Sequence, residues 1–119
     1  MHLHHLALPV RDRDRSVLFY SAYFGFDPAS ARSYPDGTTI VRDGDGFDLA
    51  LHPVADLEDR HGFLHFGFRV SDPDVVRELR LRLERDGVPI VELDDEPDLV
   101  SFKCLDPDGW QVEVYWEQT

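Results

Sequence analysis

Apolar and polar residues alternate with the same rhythm in two segments of the chain. His5–Val10 has the sequence HLALPV, and His65–Val70 has the sequence HFGFRV. Alternation of this kind predicts a strand with one buried face. In both segments an aspartate, Asp12 or Asp72, follows the strand at a position suited to capping a helix. The pattern therefore predicts the start of the same module twice.

Apolar residues at helical spacing follow each aspartate. They predict a first helix over about 13–24 and a second over about 74–86. Each helix ends at a glycine, Gly25 or Gly87, which suits the left-handed position after a helix. The expected inner sides comprise Val17, Leu18, Tyr20 and Phe24 in the first helix and Val76, Leu79 and Leu83 in the second.

Short strands are predicted after each helix, near residues 28–33, 38–42 and 47–52 and again near 90–94, 99–104 and 110–116. The last strand of each set begins at a glycine, Gly46 or Gly109. A repeated order of elements indicates an internal duplication. We therefore predict one α+β domain of two tandem βαβββ modules, 1–53 and 62–119, joined by an acidic linker over 54–61.

The composition excludes several classes of protein. A formal net charge of −12 argues against a nucleic-acid partner, because phosphates would be repelled over most of the surface. The apolar runs are too short to span a bilayer, and the first residues, MHLHH, lack the pattern of a secretory signal. We therefore expect a cytoplasmic protein without a membrane partner. The single cysteine, Cys104, fits a reducing compartment.

Strand parity brings a possible metal site onto one face of the predicted sheet. Side chains along a strand point alternately to opposite faces, so equivalent positions of the two modules carry His5, Ala50, His65 and Glu113. Two imidazoles and a carboxylate form a ligand set that suits Fe²⁺, Mn²⁺, Ni²⁺ or Zn²⁺. We predict that His5, His65 and Glu113 bind a divalent metal ion, with coordination positions left for a small-molecule substrate.

Other polar residues on the predicted strands are weaker candidates for the site. His52 and Asp48 share the same face, and either would serve as an additional ligand. Lys103 has the parity of Ser101, so its ammonium either neutralises an anionic substrate oxygen or is simply solvated. Arg69 is a second, weaker candidate for neutralising that oxygen. Cys104 has the opposite parity, which predicts a buried packing residue rather than a nucleophile.

Several motifs resemble one known family over essentially the whole chain. They lie at 5–12, 16–20, 24–26 and 106–113, with the sequences HLALPVRD, SVLFY, FGF and DPDGWQVE. They resemble the vicinal oxygen chelate superfamily, which includes glyoxalase I, bleomycin-resistance proteins, fosfomycin-resistance thiol transferases and type I extradiol dioxygenases. The resemblance implies paired βαβββ modules whose mixed sheet curves around a central metal cleft. It also implies a homodimer and metal positions at His5, His65 and Glu113.

Departures from the family pattern narrow the reaction. Glyoxalase I and methylmalonyl-CoA epimerase use a fourth protein ligand where this chain has Ala50, whose methyl group cannot bind metal. The segment 100–116, VSFKCLDPDGWQVEVYW, most resembles the end of extradiol dioxygenases. Lys103 aligns with the catalytic tyrosine of those enzymes, however, and the position of their acid–base histidine falls near Asp94. Both changes argue against ordinary ring cleavage.

Two classes of function follow. The first is a metal-dependent enzyme that chelates vicinal oxygens of a small substrate, with an Fe²⁺ extradiol-type dioxygenase ahead of a lyase or isomerase. The second is a binding protein, similar to the bleomycin-resistance proteins, that sequesters a small cationic ligand. The acidic charge and the aromatic residues are compatible with sequestration. The predicted ligand triad favours the enzyme.

Overall fold

The computed structural model describes residues 1–57 and 62–119. The chain divides into two compact units, Met1–Asp59 and Arg60–Thr119. Half of the predicted linker, residues 58–61, lies outside the described residues.

The described part of the first unit has one helix and four strands in the order βαβββ. These are β1 (His5–Val10), α1 (Arg13–Tyr23), β2 (Phe26–Ser33), β3 (Thr39–Asp43) and β4 (Asp48–Pro53). Strand β1 pairs in parallel with β4, whereas β3 pairs antiparallel with both β4 and β2. The order across the sheet is therefore β1-β4-β3-β2.

The described part of the second unit repeats this order. Its elements are β5 (His65–Arg69), α2 (Pro73–Arg85), β6 (Ile90–Glu96), β7 (Leu99–Leu105) and β8 (Gln111–Glu117). Strand β5 pairs in parallel with β8, and β7 pairs antiparallel with β8 and β6, so the sheet order is β5-β8-β7-β6. The predicted fold class is confirmed: two βαβββ modules, each with a mixed four-stranded sheet.

Both helices begin and end as their sequences predict. The side chain of Asp12 accepts a hydrogen bond from the backbone N–H of Arg15 at 3.1 Å, and that of Asp72 accepts one from Asp74 at 2.8 Å. These bonds satisfy N–H groups that have no partner within the helix. Gly25 and Gly87 follow the two helices with φ of 77° and 81°. Neither helix in the described part of the chain is long and apolar enough to cross a membrane.

The same tight turn leads into the last strand of each unit. In the first unit the Asp43 carboxylate accepts hydrogen bonds from the N–H groups of Asp45 and Phe47, both at 2.9 Å. In the second unit Asp106 accepts from Asp108 at 2.9 Å and from Trp110 at 2.8 Å. Gly46 and Gly109 lie within these turns with φ of 85° and 84°, a conformation that favours glycine. The turn therefore preserves the duplication in its backbone as well as in its sequence.

The burial pattern corrects two details of the sequence prediction. Leu18 was expected on the inner side of α1, but it is exposed, and the buried residues of that helix are Ser16, Phe19 and Tyr20. A helix turns by about 100° per residue, so Leu18 lies away from the face that its neighbours bury. Alternation continued back from Phe66 predicts Leu64 beneath the helices as well, but Leu64 precedes β5 and is exposed.

The turn at Asp106 yields a stability prediction. The residue is only 5% exposed, so water cannot replace its carboxylate in Asp106→Ala. Hydrogen bonds to charged groups contribute roughly 1.5–3 kcal/mol, and the loss in unfolding free energy should lie in that range. Asp43→Ala is the matched control in the more exposed copy of the turn and should cost about 1 kcal/mol. Urea unfolding of both variants measures the difference, and equal losses would contradict the argument.

Candidate metal centre

His65, the first residue of β5, is held in one ring orientation. Its Nδ1 lies 2.8 Å from the backbone carbonyl oxygen of Phe63. A carbonyl oxygen only accepts, so Nδ1 donates this hydrogen bond and carries the proton. In the neutral imidazole this leaves a lone pair on Nε2. Histidine ligands of metals commonly have this arrangement, with the second ring nitrogen bound to a carbonyl or carboxylate.

The carboxylate of Glu113 faces the free nitrogen of His65. Glu113 is the third residue of β8, and its Oε2 lies 3.7 Å from His65 Nε2. The two side chains are 24% and 27% exposed, so both are shielded yet reachable by a small ligand. Bonds to a divalent metal measure about 2.0–2.2 Å for nitrogen and oxygen ligands, which is long enough for both atoms to bind one ion. The donor set of the second unit therefore fits a divalent metal.

Gly67 provides the space that the Glu113 carboxylate occupies. The parallel pairing of β5 with β8 places these two residues opposite each other. A Cβ atom at position 67 would lie 3.2 Å from the Cβ of Glu113 and 3.3 Å from its Oε2. A glycine in a strand often marks such a close approach.

Lys103 lies beside Glu113 but is paired with another carboxylate. The antiparallel register places it opposite Glu113 on one side and Glu92 on the other. Its Nζ is 2.7 Å from Glu92 Oε2 and 5.6 Å from the centre of the Phe63 ring. The hydrogen bond and positive charge of Lys103 hold the pKa of Glu92 below its ordinary value.

His5, the third predicted ligand, begins β1 in the first unit and is exposed. Within each unit taken by itself, the described residues include no group of three or more His, Cys, Asp or Glu side chains that could hold a metal. The second unit thus brings two of the predicted ligands together. The assignment of His5 as the third ligand stays a prediction.

The first unit has apolar side chains where the second has its site. Ala50 lies opposite Ala7 on β1 and Ile40 on β3, in the register positions that Glu113, Gly67 and Lys103 occupy in the other sheet. Ala50 therefore lacks a metal-binding side chain, and the residues opposite it on the two neighbouring strands are apolar as well.

The two candidate additional ligands have other partners. Arg42 binds the Asp48 carboxylate through Nε at 2.9 Å and Nη2 at 3.2 Å, and these contacts lower the pKa of Asp48. His52 uses Nδ1 to contact the hydroxyl of Thr38 at 2.8 Å. A metal would have to displace two hydrogen bonds from Asp48, which does not favour it as a ligand.

Arg69 and Cys104 have surroundings that differ from those of the His65–Glu113 pair, and Cys104 is buried as its strand parity predicted. Arg69, at the end of β5, contacts Glu117 with its Nη1 at 3.4 Å from Oε1, and both side chains are exposed. Cys104 is fully buried, and that burial, together with the charge of Asp106, raises its pKa to about 12. A thiol in this state is a poor nucleophile.

Sequence analysis missed two residues of the site for different reasons. For Gly67, a glycine within an apolar strand was the available signal for a close approach. Glu92 had no such signal. A bulge between Ile90 and Glu92 shifts the register of β6, so parity counted along the sequence cannot place Glu92 opposite Lys103.

Comparison with known proteins identifies relatives that span nearly the whole chain. The trivalent organoarsenical cleaving enzyme of Bacillus sp. (strain MD1) is 27% identical over 122 residues, covering 97% of this chain and 73% of that protein. The structure of a possible glyoxalase from Bacillus cereus has a TM-score of 0.80 at 26% identity, covering 96% of this chain and 97% of that one.

A more distant structural relative is the fosfomycin resistance protein FosX from Listeria monocytogenes. It has a TM-score of 0.82 at 18% identity and covers 99% of this chain and 94% of its own. At that identity the likeness shows the fold alone. A mutant of FosX has been solved with Mn(II) and 1S,2S-dihydroxypropylphosphonic acid.

The family itself follows from the sequence match. The model of the Glyoxalase/Bleomycin resistance protein/Dioxygenase superfamily matches residues 2–114. That span includes the three predicted ligands and both βαβββ modules except the last three residues of β8, and it confirms the resemblance drawn from the motifs. The chain belongs to the Glyoxalase/Bleomycin resistance protein/Dioxygenase superfamily.

Proposed function

We propose that this protein is a divalent-metal-dependent enzyme that acts on vicinal oxygens of a small substrate. The observation that carries the proposal is the pair formed by His65 and Glu113. The Phe63 carbonyl orients the imidazole so that Nε2, the nitrogen that is unprotonated in the neutral ring, faces the carboxylate at 3.7 Å. In the neutral ring with its proton on Nδ1, neither Nε2 of His65 nor Oε2 of Glu113 can donate a hydrogen bond to the other. A cation bound between the two atoms would stabilise them in this arrangement.

The residues of the site have distinct roles in this proposal. His65 and Glu113 hold the ion, and the sequence repeat predicts His5 as a third ligand. A divalent ion bound there supplies a Lewis acid that polarises substrate oxygens. With three protein ligands, further coordination positions remain for the substrate and water.

Lys103 supplies positive charge beside the proposed ion. Its side chain is 11% exposed, so its charge is weakly screened compared with that of a surface lysine. We propose that the ammonium stabilises an anionic oxygen of the bound substrate. Arg69 stays a secondary candidate, because its guanidinium contacts Glu117 rather than the His65–Glu113 pair.

Within this class we place an Fe²⁺ extradiol-type dioxygenase first and a lyase second. The three-ligand set, the resemblance of segment 100–116 and the dioxygenases within the superfamily support that order. Lys103 stands where the resemblance aligns a tyrosine, so any proton transfer at that position uses an amine rather than a phenol. The homodimer that the resemblance implies stays a prediction.

The substrate of the organoarsenical relative is a poor match for this chain. Trivalent arsenic is a soft centre, and thiolates are the protein ligands suited to soft centres. The only cysteine here is Cys104, which is fully buried and has a pKa raised to about 12. We therefore favour a substrate that is bound through oxygen.

Metal analysis tests the proposed site. Protein purified without added metal should contain one divalent ion per chain, and His65→Ala and Glu113→Ala should each lose it. Changes to residues that hydrogen-bond to a metal ligand lower metal affinity by roughly 10–100-fold. Each of these changes removes a ligand itself, so metal affinity should fall by at least that much. His5→Ala tests the third ligand, and His52→Ala is the control that should retain the ion. A metal-free wild type that binds a cationic glycopeptide tightly would favour sequestration instead.

Catechol turnover tests the proposed reaction. Protein loaded with Fe²⁺ under anaerobic conditions and then exposed to air should consume dioxygen and convert catechol to a yellow ring-opened product. Lys103→Met should raise the KM for catechol, because it removes the charge that stabilises the ionised oxygen. If the loaded protein binds iron stoichiometrically and forms no product, the dioxygenase assignment fails and the lyase takes its place.

Gly67→Ala tests the space required by Glu113. The added Cβ would lie 3.3 Å from the carboxylate oxygen, so the Glu113 side chain must shift by a few tenths of an ångström from the position in which it faces His65. Metal affinity should fall on the order of tenfold, the lower end of the effects seen when groups around a metal ligand are changed. Gly62→Ala is the matched control, since a Cβ there would meet no atom within 4 Å. Isothermal titration with Zn²⁺ measures both, and equal affinities would contradict the crowding argument.

A further inference from the structure

A row of charged side chains crosses the second sheet at one level. Glu92 on β6 lies opposite Lys103 on β7, and Lys103 lies opposite Glu113 on β8. The lysine therefore has a carboxylate on each side. Residues opposite each other on neighbouring strands have Cβ atoms about 4.5–5.5 Å apart, well within the reach of a lysine side chain.

The lysine contacts only one of these carboxylates. Its Nζ lies 2.7 Å from Glu92 Oε2, and it also lies over the Phe63 ring. Glu113 instead directs Oε2 towards His65. The ammonium is thus paired with Glu92 and lies over the Phe63 ring, while the Glu113 carboxylate is directed to the imidazole of His65.

A bulge in β6 creates this arrangement. Ile90 lies opposite Cys104, and regular antiparallel pairing would place Val91 opposite Lys103. The register shift between Ile90 and Glu92 replaces that valine with a carboxylate. Without the shift, Val91 would lie opposite Lys103 on β6, and Glu113 would be the only carboxylate opposite the lysine.

We propose that Glu92 is a positioning residue of the metal centre: it holds the Lys103 ammonium away from Glu113 and so keeps that carboxylate available to bind a cation. The inference rests on the proposed function, because it assigns Glu113 to the metal. An ammonium paired with Glu113 would compete with the ion for the same oxygens. Glu92 therefore acts on the ion through Lys103 and not as a ligand.

The test compares Zn²⁺ affinity by isothermal titration in the full chain. Glu92→Gln should bind Zn²⁺ on the order of tenfold more weakly than the wild type, as changes to outer partners of a metal ligand do. The double variant Glu92→Gln with Lys103→Met should recover wild-type affinity, since it removes the competing ammonium. A purely structural role of Glu92 predicts no recovery.

Asp94→Asn is the control for simple loss of negative charge. Asp94 lies on the same strand opposite Ser101, at the next position on that side of β6. Its neutralisation should leave Zn²⁺ affinity within about twofold of the wild type, because one exposed charge has a small effect at physiological salt. If Asp94→Asn weakens binding as much as Glu92→Gln, or if the double variant stays weak, the inference is wrong.

A crystal structure of metal-free Glu92→Gln separates this inference from the proposed function. Nζ of Lys103 should then lie within hydrogen-bond distance of the Glu113 carboxylate. If Nζ stays beyond hydrogen-bond distance of Glu113, the inference is wrong whatever the affinities are. If the wild type binds no metal, the proposed function fails, while the position of Nζ still decides whether Glu92 holds the lysine away from Glu113.

Discussion

The polar site of the second unit depends on the absence of one side chain. Strands β5 and β8 run parallel, and their register places Glu113 against Gly67, where a Cβ atom would crowd the carboxylate. With that space the carboxylate packs closely over the glycine and faces His65, two residues before Gly67 on β5. The imidazole is in turn held by the backbone of Phe63, so backbone geometry orients both members of the pair. Lys103, which also lies opposite Glu113, forms its ion pair with Glu92 and leaves the Glu113 carboxylate to face His65.

Much of the architecture follows from short-range rules, which is why the sequence predicted it. Asp12 and Asp72 cap helices through their own side chains, and Gly25 and Gly87 adopt a conformation that few other residues tolerate. Strand parity also assigned His65 and Glu113 to one face. What failed was the inner side of α1, where Leu18 was chosen on hydrophobicity although the buried face is centred on Phe19 and Tyr20.

The partners of the site residues were beyond sequence reasoning because they depend on register. The bulge in β6 changes which residue faces Lys103, and no pattern of apolar and polar residues reveals an inserted position. The partners of Asp48 could not be foreseen either, because Arg42 reaches it from the neighbouring strand β3 and Arg32 from β2, one strand further away. The duplication thus predicted which positions are equivalent. The structure shows that the first unit has Ala50 and Ile40 where the second has Glu113 and Lys103.

Strand β6 has a consequence for how copies of this protein can associate. It is the outer strand of the second sheet and includes Glu92, Asp94, Asp95 and Glu96 among its seven residues. An unpaired edge offers backbone groups to any passing strand, and clustered charge is one way in which proteins prevent such pairing. Two of these edges brought together would repel each other. The strand that supplies the lysine's counterion therefore also disfavours extension of the sheet at this edge.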